Sequence, residues 1–135
     1  MVKRILRSVR LAVVIALAVL FAGAAIASPG GTHLRIAVRA SPGAPARVTT
    51  LRCDPPGGTV VQPAQACRRL LTGGRGIFAP TPLGTACTMI YGGPQEALVT
   101  GTLRGVKVRA RLRRRDGCEI ARWNRVAFLL GAVFA

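Results

Sequence analysis

The side chains that could form covalent bonds or hold a metal ion are few: four cysteines, one histidine and four acidic residues. The cysteines stand at Cys53, Cys67, Cys87 and Cys118. Zinc sites are typically built from closely spaced cysteine pairs or from cysteines with histidines, whereas here no CxxC pair occurs and His33 is the only imidazole. We therefore expect two disulfide bonds and no metal site, with three pairings open from the spacing alone.

Hydrolytic chemistry would depend on the same single imidazole. A Ser-His-Asp site would have to combine His33 with Asp54 or Asp116, which lie far along the chain. An exposed residue near the start of the mature chain is the simpler interpretation of His33. We expect a protein that is not an enzyme and needs no cofactor, and we keep a hydrolase as the alternative class.

The first 27 residues have the pattern of a secretory signal peptide. Four basic residues precede an apolar run from 11 to 27, which ends in the small-x-small sequence Ala25-Ile26-Ala27. We expect residues 1–27 to be removed and residues 28–135 to form one secreted, extracellular domain without a stable membrane anchor. An uncleaved anchor is the alternative, because 17 apolar residues just reach the lower limit for a membrane span. Secretion would also favour disulfide formation, since exported thiols are oxidised.

The chain is strongly basic, with 20 lysines and arginines against four acidic residues. Removing the signal peptide removes four basic residues and no acidic one, which leaves a net charge of 16 − 4 = +12. The basic residues are spread over many segments, and no aromatic pair suited to stacking bases is visible. We therefore expect a solvated surface with nonspecific attraction to polyanions rather than a dedicated nucleic-acid site.

Hydrophobic patterns predict an α+β domain, an antiparallel sheet with one or two short helices on one side. Alternating apolar residues predict strands, and the last two strands form a hairpin around Arg104-Gly105. Periodic apolar residues with flanking Pro and Gly predict helices. The predicted strands are 34–40, 47–53, 97–103, 106–112 and a final buried strand at 126–130, and the predicted helices are about 64–72 and 119–125.

The segment ACTMIYGG, residues 86 to 93, combines a cysteine with large apolar residues and glycines. Cys87 stands two residues before Met89, and Ile90 and Tyr91 follow before the chain breaks into Gly92 and Gly93. Taken alone, this segment could be a buried strand in which Met89 fills the core.

The order of these parts resembles the Streptomyces subtilisin inhibitor family of secreted serine protease inhibitors. The likeness rests on the cysteine spacing, the Cys-x-Met-Ile-Tyr run at 87–91, the Gly-x-x-x-Gly of the hairpin at 101–105, and Cys-Glu-Ile at 118–120. The resemblance implies disulfides Cys53–Cys67 and Cys87–Cys118. It also implies a five-stranded antiparallel sheet with two helices, and homodimers formed sheet to sheet.

The resemblance further implies a reactive peptide bond between Met89 and Ile90. Met89 would enter the primary specificity pocket of a subtilisin-like secreted serine protease, the expected partner. The protease-contact loop would comprise Ala86, Cys87, Thr88, Tyr91 and Gly92. The sequence departs from the family pattern at Thr88, where the family usually has Pro, and after Tyr91, where it usually has Asp-Pro.

A second functional class remains open from the sequence. The inhibitor fold could be used for polyanion or cell-surface binding through an arginine-rich strand and its end. The residues concerned are Arg109, Arg111, Arg113, Arg114 and Arg115.

Overall fold

A computed structural model describes residues 30–131. The expected signal peptide, residues 1–27, lies outside the described residues. In chain order, the elements are β1 (His33–Arg39), β2 (Arg47–Cys53), β3 (Pro56–Gly58), α1 (Pro63–Gly73), a 3₁₀ helix (Gly74–Phe78), β4 (Glu96–Leu103), β5 (Val106–Leu112), α2 (Gly117–Arg125) and α3 (Ala127–Leu130).

The strands form one five-stranded sheet in the order β3-β2-β1-β4-β5. Every neighbouring pair is antiparallel. β1 lies at the centre, and its alternation buries Leu34, Ile36 and Val38 while His33 and Arg35 are exposed. The α+β class and the antiparallel sheet expected from the sequence are thereby confirmed.

The β4–β5 hairpin turns at the two residues predicted to lie between its strands. Arg104 has a φ of 50° and Gly105 a φ of 76°. Positive φ at both central residues defines a turn whose twist matches that of the flanking strands, and glycine adopts it without strain. This turn fixes the register in which Leu103 faces Val106.

The helices cover one face of the sheet, called the inner face here. Leu70 of α1 and Trp123 of α2 are 0% and 1% exposed, and they belong to the same buried cluster as Ile36 and Val99 from the sheet. Burying side chains of this size contributes about 1.5–3 kcal/mol each to folding. The opposite side of the sheet, called the outer face, has no helix packed on it within residues 30–131.

The expected final strand at 126–130 is wrong: the chain forms the short helix α3 there. Val126, Leu129 and Leu130 are buried, and their i, i+3, i+4 spacing places them on one side of a helix. An unbroken apolar run cannot distinguish a strand from a buried helix, which explains the error. The structure also contains a strand that was not among those predicted, because Pro56–Gly58 pairs with β2 as the edge strand β3.

The helices found between residues 30 and 131 are all too short or too polar to cross a lipid bilayer.

Candidate functional site

Residues 85–93, called the exposed loop here, have no regular secondary structure. They are part of the connection between the 3₁₀ helix and β4. Met89 is 94% exposed, Ile90 63% and Tyr91 64%. The alternative interpretation of Met89 as a core residue is therefore wrong. Large apolar side chains displayed on a short surface segment are typical of a recognition site.

The exposed loop is covalently bonded to the start of α2. Cys87 and Cys118 form a disulfide with a Cα–Cα distance of 5.4 Å. The other disulfide joins Cys53 of β2 to Cys67 of α1, with a Cα–Cα distance of 5.5 Å. Both pairings implied by the family resemblance are confirmed.

Two backbone hydrogen bonds flank the Met89–Ile90 peptide bond. On one side, the N–H of Gly117 donates to the carbonyl oxygen of Thr88 at 2.9 Å. On the other, the N–H of Gly92 donates to the carbonyl oxygen of Arg114 at 2.7 Å. Both partners belong to residues 113–118, called the support segment here, which comprise the link after β5 and the first two residues of α2.

Close packing accompanies these hydrogen bonds. A Cβ on Gly117 would lie 2.0 Å from Oγ1 of Thr88, and a Cβ on Gly92 would lie 2.8 Å from Cγ1 of Ile120. Side-chain carbons are not found this close to other atoms, so a larger residue at either position would force the neighbouring side chain or the loop to shift. The loop therefore lies directly against the support segment and the first turn of α2.

The support segment is itself held by side chains at several points. Asp116 is the N-cap of α2, and its Oδ1 accepts a hydrogen bond from the N–H of Glu119 at 2.9 Å. The guanidinium of Arg114 lies 5.7 Å from the ring centre of Trp123, within the range of cation–π attraction. Arg113 forms an ion pair with Glu96 of β4 at 3.0 Å. The support segment is thus connected to both the sheet and the core.

The predicted loop residues are brought together by the structure. Ala86, Thr88 and Tyr91 are exposed, whereas Cys87 and Gly92 are half-buried against the support segment. The sequence singled out Arg114 only as one of several basic side chains, and it did not single out Gly117, although the backbones of both residues hold the loop. A signal was present in Asp116 and Glu119, because Asp followed three residues later by Glu is typical of a helix start.

The structure does not assemble a hydrolytic site around His33. His33 lies on β1 opposite Arg52 and Thr102, and no ion pair joins it to a carboxylate within residues 30–131. The carboxylate of Asp116 is engaged in capping α2.

In the described part of the chain, one group of three side chains has potential metal-ligand atoms close to one another: Cys87, Asp116 and Cys118. Those two sulfurs are bonded to each other, so they are not thiolate ligands.

Comparisons with known proteins define the family to which this chain belongs. Residues 30–113 match the model of the family described as subtilisin inhibitor-like. The match covers more than half of the chain, and the chain belongs to this family. No curated protein sequence matches it significantly.

Among solved structures, the chain is similar to one from the crystal structure of Streptomyces caespitosus sermetstatin in complex with Bacillus licheniformis subtilisin. The identity is 23%, the TM-score is 0.51, and the likeness covers 76% of this chain and 99% of that one. At this identity, the comparison shows a shared fold.

Proposed function

We propose that this protein is a secreted inhibitor of subtilisin-like serine endopeptidases that presents the Met89–Ile90 bond as a rigid imitation of a substrate. The observation that carries the proposal is the anchoring of both sides of this exposed bond to one support segment, through Thr88 on one side and Gly92 on the other. Membership of the subtilisin inhibitor-like family supports it, as does the solved relative crystallised with subtilisin.

A protease binds its substrate as an extended peptide, and a flexible peptide loses conformational entropy when it is ordered. Fixing the backbone of one residue costs about 1–2 kcal/mol. Cys87, Thr88 and Gly92 are already fixed by a disulfide and two hydrogen bonds. The loop therefore loses little further freedom on binding, and more of the contact energy is retained as affinity.

The same anchoring explains why attack would not release products. In the first step, the protease serine attacks the Met89 carbonyl carbon, and the protease histidine protonates the departing Ile90 amine. Ile90 would remain near the acyl group, because Gly92 is held by Arg114 two residues further on. The amine can then attack the ester carbonyl of the acyl-enzyme and give its proton to the histidine; the bond to the serine oxygen breaks, the serine takes the proton from the histidine, and the peptide bond is restored.

Met89 would determine which proteases are inhibited. Its side chain is almost fully exposed, so it can enter a pocket on the partner. An unbranched thioether adapts to a broad apolar pocket, whereas a trypsin-like pocket with an acidic base requires Lys or Arg. We therefore assign this protein to apolar-specific, subtilisin-like targets. In this role the chain acts outside the cell and is not an enzyme.

Titration against subtilisin tests the proposal. The oxidised chain without residues 1–27 is added in steps to a fixed amount of enzyme, and the residual activity on a small chromogenic substrate is measured. We expect activity to fall linearly to near zero at one inhibitor per enzyme. Full activity at several equivalents, or rapid digestion of the added chain, would contradict the proposal.

A further inference from the structure

The outer face of the sheet carries a set of cations that the proposed inhibitory loop does not use. Six exposed basic side chains on three strands define this surface, called the basic sheet face here. They are Arg35, Arg39, Arg52, Lys107, Arg109 and Arg111.

Strand register arranges these cations as a grid. Lys107, Arg109 and Arg111 are alternate residues of β5, which places successive side chains about 7 Å apart along the strand. Thr100 of β4 is paired with Arg109 on one side and with Arg35 on the other. Arg35 and Arg109 therefore lie in one row, about 10 Å apart across two strand spacings.

Within residues 30–131, the protein's own carboxylates form no ion pairs with the basic sheet face. Glu96 lies opposite Arg39 in the strand register, but its carboxylate is paired with Arg113. Asp116 caps α2 and Glu119 pairs with Arg122, both away from the sheet. In the described residues no carboxylate forms an ion pair with any of the six cations. Like charges held close together in a fixed surface attract a polyanion.

Two adjoining grooves run over this face. One, of about 610 Å³, is lined by His33, Arg35 and Arg52 together with threonines of β2 and β4. The other, of about 300 Å³, is lined by Arg35, Arg39 and Arg111 together with one acidic residue, Glu96. Arg35 borders both grooves, so a linear ligand could follow one into the other and contact cations in each.

The side chains that line the two grooves favour one class of polyanion. Guanidinium groups bind phosphate oxygens in pairs, and threonine hydroxyls add further donors. Neither groove is lined by Phe, Tyr or Trp, and His33 is the one ring side chain in either lining. Single-stranded nucleic acid is usually held by several aromatic side chains on which successive bases stack, and one imidazole does not form such a platform. A second copy of this chain is also disfavoured, because face-to-face contact would bring two such sets of cations together.

From this geometry we propose that the basic sheet face binds a linear phosphate polymer that carries no bases. None of the residues of the exposed loop lines either groove, so the two surfaces can act independently. The proposal does not depend on the inhibitory function.

Inorganic polyphosphate is the probe, and its affinity is measured by calorimetry over a series of salt concentrations. The double variant Arg35→Gln/Arg109→Gln removes two positive charges from the basic sheet face. The matched control is Arg68→Gln/Arg75→Gln, which removes the same charge from exposed positions on α1 and the 3₁₀ helix. We expect the first variant to raise Kd about tenfold and the control to change it less than about twofold. The slope of log K against log salt should become shallower by about 1.4 in the first variant, as for two lost phosphate contacts on a single strand.

Equal losses in the two variants would overturn the proposal, because net charge alone would then explain binding. Tighter binding to single-stranded DNA of equal phosphate number would overturn the base-free class. A concentration-dependent dimer that forms without polymer and is lost in Arg35→Gln/Arg109→Gln would assign the face to a second copy instead. Unchanged melting temperatures of both variants would show that the fold is intact, and this control keeps the test separate from that of the loop.

Discussion

The N–H of Gly117 donates a hydrogen bond to the carbonyl oxygen of Thr88 at 2.9 Å, which joins the first residue of α2 to the residue before Met89. The first N–H groups of a helix have no acceptor within the helix. Here the exposed loop supplies one. The loop and the helix terminus therefore stabilise each other, and changes at this contact should affect inhibition before they affect the fold.

Replacing Gly117 with Ala should weaken inhibition of subtilisin. The new Cβ would overlap Oγ1 of Thr88, so the Thr88 side chain or the loop must shift away from the support segment. Overpacking of this kind costs about 1–3 kcal/mol, and we expect the inhibition constant to rise about tenfold. The measurement is the inhibition constant of the purified variant.

Partner variants separate this overlap from a general loss of folding. Thr88→Ala removes the overlapping atom, so Gly117→Ala/Thr88→Ala should recover most of the lost affinity. Thr88→Ser keeps the hydroxyl and should not. Gly76→Ala is a neutral control, since a Cβ there meets no atom within 4 Å. Equal weakening with Ala and with Ser at position 88 would contradict the assigned contact.

Replacing Met89 with Lys should transfer inhibition from subtilisin to trypsin. A charged ammonium is poorly accommodated in an apolar pocket but matches an acidic one. We expect the inhibition constant for subtilisin to rise by at least about tenfold and that for trypsin to fall by a similar factor. Val61→Lys, at another exposed apolar residue, should change neither constant. Unchanged specificity in Met89→Lys would remove this residue from the proposed role.

Gly92 provides a second steric test on the other side of the bond. A Cβ at this position would lie 2.8 Å from Cγ1 of Ile120, so Gly92→Ala should weaken inhibition. Adding Ile120→Ala removes that carbon and should restore part of the affinity, although Cβ of Arg114 remains 3.2 Å away. The double variant could inhibit subtilisin no better than Gly92→Ala, while Ile120→Ala alone retains full inhibition. This result would show that Ile120 does not set the position of the loop.

Much of the sheet could be predicted because its strands have one buried and one exposed face. The alternation of Leu34, Ile36 and Val38 identified β1, and Arg104-Gly105 identified the hairpin turn. β3 was missed because Pro56, Gly57 and Gly58 offer no alternating side chains and pair through their backbones. The run at 126–130 was assigned to a strand because its apolar residues carry no clear period.

Only part of the candidate site could be predicted from the sequence. Resemblance to an inhibitor family singled out Met89 and Ile90, and the structure shows that both are exposed. The roles of Gly117 and Arg114 could not be found this way. They act through backbone groups, and their partners at Thr88 and Gly92 are distant in sequence, so only the folded chain reveals the contacts.

The two disulfides should differ in their effects. Cys87→Ser/Cys118→Ser removes the bond beside the loop, whereas Cys53→Ser/Cys67→Ser removes one whose Cys67 is buried at 3% exposure. In the chain-entropy model, each stabilises the fold by about 3–4 kcal/mol. We expect both variants to melt at lower temperature, but only the first to be digested by subtilisin while still folded. The measurements are thermal unfolding and the lifetime of inhibition below the melting temperature. Equal lifetimes in the two variants would contradict a special role for Cys87–Cys118.

The central claim is that an attacked Met89–Ile90 bond is held together and re-formed. The most direct measurement incubates the oxidised chain with a trace of subtilisin and follows intact and cleaved species by mass spectrometry. We predict a slow approach to a constant mixture of the two, with a single cut between Met89 and Ile90, and the same mixture when the purified cleaved form is the starting material. Continuous digestion to fragments, or a cut elsewhere in an inhibited complex, would contradict the account.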